Sequence, residues 1–249
     1  MRRWLPEILA LPLLPLLIVQ GKRTRRVTPR LPDAHGPTQG IAGKAYGATP
    51  LSLLAFGESP VAGVGVGTHE EAISGQLALA LSSRLQRPIA WQAIGKNGAT
   101  AREALAHLLP QVARRQTDIV LLAFGVNDTT AFRSVAQWRD DMHALIAGLQ
   151  DRCAPRMLLL AGVPPLRHFP ALPRPLRWVM GLKADVLDLA LRDMASTLDN
   201  GIHVPVALDA SDRALMARDG YHPSVKGCEV WAQMLGERAT ARLSTMAFP

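Results

Sequence analysis

The chain has 249 residues, 48% of them hydrophobic and 19% charged, and a formal net charge of +8. This length and apolar content allow one domain with a sizeable core and exclude a disordered, low-complexity chain. The positive charge is local: Arg2, Arg3, Lys22, Arg23, Arg25, Arg26 and Arg30 stand against Glu7 in residues 1–30, and the other 219 residues carry only +2, so the body of the protein is not built to grip nucleic acid.

Between those basic clusters lie twelve uncharged residues, 8–19, interrupted by Pro12 and Pro15. A full helical span needs about 20 apolar residues, so this run is short. No small-residue cleavage site follows it, and the positive charge beyond it disfavours export. The expectation is membrane attachment, with the basic run against anionic headgroups. The alternatives are an uncleaved signal anchor, a disordered soluble tail and a cytoplasmic location. Pro and Gly punctuation over residues 28–48 reads as a linker, so residues 1–48 form a terminal segment and 49–249 the folded domain.

Further along, apolar runs at 51–56, 89–94, 119–123, 157–162 and 202–208 alternate with helical patterns, which predicts an α/β domain around a parallel sheet. Helices are expected at 135–149, 182–198 and 225–243. Two helix starts are marked by capping-box sequences, Thr68-His69-Glu70-Glu71 and Thr100-Ala101-Arg102-Glu103. Residues 164–178 hold five prolines interleaved with Leu166, Phe169, Leu172, Leu176 and Trp178, which excludes a regular element over most of the stretch. Such a loop either lines a pocket or closes over one as a lid, or it is packed surface structure.

Two distant segments carry the chemistry. Phe56-Gly57-Glu58-Ser59-Pro60 places a hydroxyl directly after an apolar run, and Asp219-Gly220-Tyr221-His222-Pro223 places a carboxylate and an imidazole three residues apart. A serine hydroxyl is a weak nucleophile, so it needs a base near neutral pKa and a third group that orients that base. Ser59, His222 and Asp219 fit those roles. Phe124-Gly125-Val126-Asn127-Asp128 and Gly95-Lys96-Asn97-Gly98-Ala99-Thr100 also follow apolar runs, and in an open parallel sheet such loops gather at the carboxyl ends of the strands.

With these four segments in this order, the chain resembles the SGNH (GDSL-type) hydrolases, over roughly residues 50–245. Ser59, Gly98, Asn127 and His222 stand at the positions of the family's serine, glycine, asparagine and histidine. The resemblance implies a three-layer α/β/α sandwich, with a flavodoxin-like five-stranded parallel sheet in the order 2-1-3-4-5. It further implies ester hydrolysis through an acyl-serine, with Asp219 holding His222. The oxyanion hole would be made of the Ser59 and Gly98 backbone N–H groups and the Asn127 side-chain amide. Asn97 competes with Gly98 for its place, and the glycine is preferred because a backbone donor approaching a reacting oxygen favours a residue without a side chain. Two departures stand out: Glu58 replaces the usual aspartate before the serine, adding a methylene to a loop brace, and Pro60 follows it. Asp128 is expected to brace its loop. The substrate would be a small-molecule or lipid ester, and no cofactor or metal is expected.

Three other readings compete. Acyl transfer and carbohydrate deacetylation could use the same site. A nucleotide-binding flavodoxin-like module is suggested by Gly63-Val64-Gly65-Val66-Gly67, but Thr68 occupies the sixth position of the dinucleotide fingerprint. Cys153 and Cys228 fall on helices that the expected topology puts on opposite faces of the sheet, so no disulfide is expected.

Overall fold

The computed structural model describes residues 4–245. Six strands, β1 (Gln39–Ala42), β2 (Leu51–Gly57), β3 (Ile89–Gly95), β4 (Ile119–Ala123), β5 (Met157–Ala161) and β6 (Gly201–Val204), form one sheet in the order β1-β3-β2-β4-β5-β6. β2 to β6 are parallel and have the expected order. β1 is a sixth strand, antiparallel to β3 at the sheet edge, where five were expected. It comes from the stretch read as a linker. Gln39-Gly40-Ile41-Ala42 is too short and too exposed to show a period-two apolar pattern, and only its partner defines it. Its effect is to cover an edge whose backbone groups would otherwise be open.

Strand residues alternate between two cores. Leu54, Phe56, Val120, Leu122, Leu158 and Leu160 enter one cluster, and Leu53, Ala55, Ile119, Leu121, Met157 and Leu159 enter the other. Because both faces are covered, the central strands read as unbroken apolar runs. Helices α2 (Ile73–Leu85) and α7 (Val225–Leu243) pack in the second cluster; α3 (Ala101–His107), α5 (Val135–Cys153) and α6 (Leu176–Ala195) pack in the first. Cys153 and Cys228 are free, buried and divided between the two faces.

The capping signals behave differently from one another. Thr100 and Glu103 form the reciprocal box at the start of α3, and Ser134 with Gln137 forms another at α5. Thr68 and Glu71 also exchange bonds, yet they close a single turn, and α2 begins only at Ile73. Within 164–178, a short turn of helix over Leu166–His168 interrupts the loop, and α6 starts inside the stretch at Leu176.

The amino-terminal helix α1 (Leu5–Val27) runs through Pro12 and Pro15. It is longer than the apolar run because it includes the basic residues, and by length and composition it could cross a membrane. One stripe is nonetheless occupied. Pro6, Ala10 and Leu17 are buried, and the helix packs on α6. Lys183 of α6, wholly buried, places its Nζ 2.5 Å from Glu7 Oε1 and 5.1 Å from the Phe132 ring centroid. The Gln20 amide donates to the Arg174 carbonyl at 2.7 Å, and its oxygen accepts from Leu176 N–H at 3.1 Å.

A buried ammonium without its acid is costly. Glu7→Ala should therefore lower stability by on the order of 1–3 kcal/mol, less than for a wholly enclosed pair because Glu7 keeps some water access. Adding Lys183→Met should restore most of the loss. Denaturant unfolding of the three proteins measures this, and an unchanged midpoint for Glu7→Ala would mean that α1 does not dock through this pair.

Candidate active site

Ser59 lies two residues beyond β2, in a tight turn. Val61 and Ala62 donate N–H groups to the Glu58 carbonyl at 3.0 and 3.1 Å, and Val64 donates to the Ser59 carbonyl at 3.0 Å. The serine is 7% exposed and lines a cavity that His222 also lines. His222 precedes α7, and its Nδ1 stands 2.6 Å from Asp219 Oδ2. Asp219 Oδ1 accepts the Tyr221 and His222 backbone N–H groups, both at 3.0 Å. Burial works to raise the Asp219 carboxyl, but the bonds from the His222 ring and from the two backbone groups outweigh it and hold the carboxyl below the usual range. An ionised Asp219 makes Nδ1 the protonated ring nitrogen and leaves Nε2 as the acceptor.

The glycine run 63–67 packs beneath this loop. Gly65 has φ of +101°, and a Cβ there would fall 2.7 Å from the Pro223 carbonyl oxygen and 3.2 Å from His222 Cβ. Its glycine lets the nucleophile loop pass close under the histidine loop. No phosphate-binding turn at a helix N-terminus results, since α2 begins only at Ile73.

The other two loops are joined to the first by buried polar bonds. Gly98 follows β3 with φ of +81°, which a side chain would strain, and Asn97 beside it is exposed. Among the described residues, neither the Ser59 nor the Gly98 backbone N–H is taken up by another protein group. The Asn127 side-chain amide donates to Glu58 Oε2 at 2.6 Å and to the Ala99 carbonyl at 3.1 Å. Glu58 also accepts the Val126 N–H on Oε1 at 2.9 Å and the Asn127 N–H on Oε2 at 3.0 Å. Its added methylene thus lets it brace the loop after β4. Burial, with the charge of Asp128, pushes the Glu58 carboxyl up to about 8 against these donors. Asp128 braces the start of α3 by accepting the Ala101 N–H on Oδ2 at 3.0 Å, and burial raises its carboxyl to about 6.

The cavity is mainly apolar. Phe169, Val206, Leu208, Ala210, Met216 and Trp231 are part of its lining, while Gly98 and Asn127 stand outside it. From the proline-rich loop, Pro164, Pro165 and Phe169 reach it. Leu166, Leu172 and Leu176 enter the core, and Trp178 remains exposed. A second carboxylate–imidazole pair has no signal in the sequence: Asp188 Oδ1 meets His203 Nε2 at 2.8 Å and accepts the Val163 N–H at 2.8 Å, tying α6 to β6 and to the loop after β5. Among the described residues, no group of three or more His, Cys, Asp or Glu is placed to hold a metal ion.

A curated relative, the GDSL-like esterase Rv1075c of Mycobacterium tuberculosis, is 23% identical over 236 residues, covering 88% of this chain and 74% of its own. The psychrotrophic esterase EstA of Pseudoalteromonas sp. superposes with a TM-score of 0.58 at 19% identity, over 78% of this chain and 98% of that one. The structure of TesA gives 0.60 at 18%, over 76% and 98%. The family model described as the GDSL-like lipase/acylhydrolase family matches residues 55–230, which contain every loop described above, and the chain belongs to that family.

Proposed function

We propose that this ester hydrolase cleaves carboxylic acyl esters through an acyl-serine intermediate on Ser59. The observation that carries the reading is the braced Asp219–His222 pair opening onto the cavity that Ser59 lines. His222 Nε2 takes the Ser59 proton as Oγ attacks the ester carbonyl, and returns it to the leaving alcohol. Asp219 keeps Nδ1 protonated and stabilises the imidazolium. The developing oxyanion is received by the Ser59 and Gly98 N–H groups, with the Asn127 amide as third donor. Water then enters by the same route and releases the acid. The apolar lining suits the acyl chain, which favours acyl esters, lipid-like ones included, over acetylated carbohydrate.

Membrane attachment through α1 belongs to the same reading. Outside the stripe docked on α6, the helix exposes Trp4, Ile8, Leu11 and Val19, and it ends in Lys22, Arg23, Arg25 and Arg26; Arg2 and Arg3 lie outside the described residues. An apolar face closed by a basic cluster suits the surface of an anionic bilayer. Docking on α6 favours a helix lying along that surface.

Ser59→Ala should abolish hydrolysis of short p-nitrophenyl esters and labelling by a fluorophosphonate probe, with an unchanged melting profile. Turnover near the native level would refute Ser59 as nucleophile. Asp219→Asn should keep the fold but favour the wrong imidazole tautomer, lowering kcat by on the order of 10⁴; full activity in that variant would require another carboxylate. Mass spectrometry of products with added alcohols separates hydrolysis from transfer, since acylated acceptor in place of free acid would make the protein a transferase.

Removing residues 1–30 should shift the protein from the membrane to the soluble fraction and leave activity on soluble esters, because the proposed catalytic groups lie beyond residue 50. The truncated protein should melt earlier, since the α6 face that α1 covers becomes exposed. Full-length protein that stays off anionic vesicles would end the membrane reading.

A further inference from the structure

The Asn127 amide has two hydrogens, and both are in use. One goes to Glu58 Oε2 at 2.6 Å and the other to the Ala99 carbonyl at 3.1 Å. The Ala99 carbonyl, which can only accept, fixes this orientation: turning the amide over would put its oxygen against that carbonyl. For Asn127 to serve an oxyanion, one of these two bonds has to be surrendered or shared, and the bond to Glu58 is the one whose acceptor can carry a charge. An aspartate, one methylene shorter, would draw its carboxyl back from the side-chain amide.

We propose that Glu58 is a positioning residue that holds the Asn127 amide in the resting site and competes with the substrate's oxyanion for it, so that Glu58 limits turnover. The inference rests on the proposed role of Asn127 as oxyanion donor. An ionised carboxylate is the strongest competitor for that hydrogen, and its charge also opposes the charge developing on the substrate oxygen. A neutral carboxyl does neither to the same degree.

The groups facing Glu58 decide which form is present. Asp128 of α4 (Val126–Thr130) adds a like charge, the half-buried Tyr221 and His222 approach from the loop before α7, and the Val126 and Asn127 donors favour the ionised form. Burial dominates and holds the carboxyl at about 8. The sign follows: below that pH Glu58 is neutral and yields the amide, and above it the carboxylate retains the amide. Turnover should therefore fall as pH rises through about 8.

Glu58→Asp should raise kcat at about pH 9 roughly ten-fold or more, the worth of one charge-assisted hydrogen bond, with KM little changed and the alkaline fall reduced. Glu58→Gln, neutral at every pH, should lack the alkaline fall whatever its absolute rate. Asn127→Ala should lower kcat by about 10²–10³ in the native background and erase the gain from Glu58→Asp, because the gain acts through that amide. If Glu58→Asp lowers kcat at every pH, Glu58 is a support and the competition is overturned. If Asn127→Ala leaves kcat unchanged, the inference falls together with the oxyanion role of Asn127, an outcome distinct from an effective Asn127→Ala combined with a neutral Glu58→Asp. Should Glu58→Asp fail to fold, a native kcat that stays flat from about pH 7 to about pH 9.5 overturns the proposal alone.

Discussion

The Glu58 carboxylate accepts N–H groups from Val126 and Asn127, and through them it ties the loop after β2 to the loop after β4. The two strands are parallel neighbours, so their carboxyl ends emerge side by side, and past the last paired residues, Gly57 and Ala123, the Glu58 N–H still donates to the Ala123 carbonyl at 3.0 Å. The buried Glu58 side chain extends that connection to the loop after β4. Asp128 repeats the device one loop further on by capping α3, which carries the Gly98 loop into register with both. The proposed nucleophile and oxyanion donors therefore inherit their spacing from two buried carboxyls, each raised by the low-dielectric surroundings that make its hydrogen bonds strong.

The histidine loop is positioned by other means. Asp219 accepts two backbone N–H groups of its own turn and the His222 ring, so the pair is preorganised within four residues of sequence. Close packing then brings the histidine loop against the loop that follows Ser59, where Gly65 leaves room for the approach. Rigid loops on a packed sheet supply the orientation that the proposed acyl-serine chemistry requires, because effective molarity depends on reacting groups already held near the attack geometry.

The amino-terminal helix adds a link between the surface and the cavity wall. Gln20 bonds the Arg174 carbonyl and the Leu176 N–H, at the point where the proline-rich loop turns into α6, and the same loop sends Phe169 into the cavity. The Lys183–Glu7 pair fixes that helix from beneath. One face of α1 is thus committed to the domain, while Ile8, Leu11 and Val19 remain exposed ahead of the basic cluster.

Strand runs, the α/β class and the parallel strand order were legible from residue pattern and family resemblance, because strands buried on both faces must be continuously apolar, and the four proposed site loops were read from the few residue types that Ser-His-Asp chemistry admits. Asp219 and His222 were legible for the further reason that their contact is local. β1 was not, since a short edge strand is defined by its partner and not by its own residues. Glu58 was readable as a departure, but whether its extra methylene broke or made a brace depended on where the backbone N–H groups of a loop 68 residues away came to rest. The docking of α1 on α6 and the pairing of Asp188 with His203 were likewise decided only by tertiary structure. Contacts between distant segments leave no periodicity in the chain, and their worth depends on the burial that the completed fold creates.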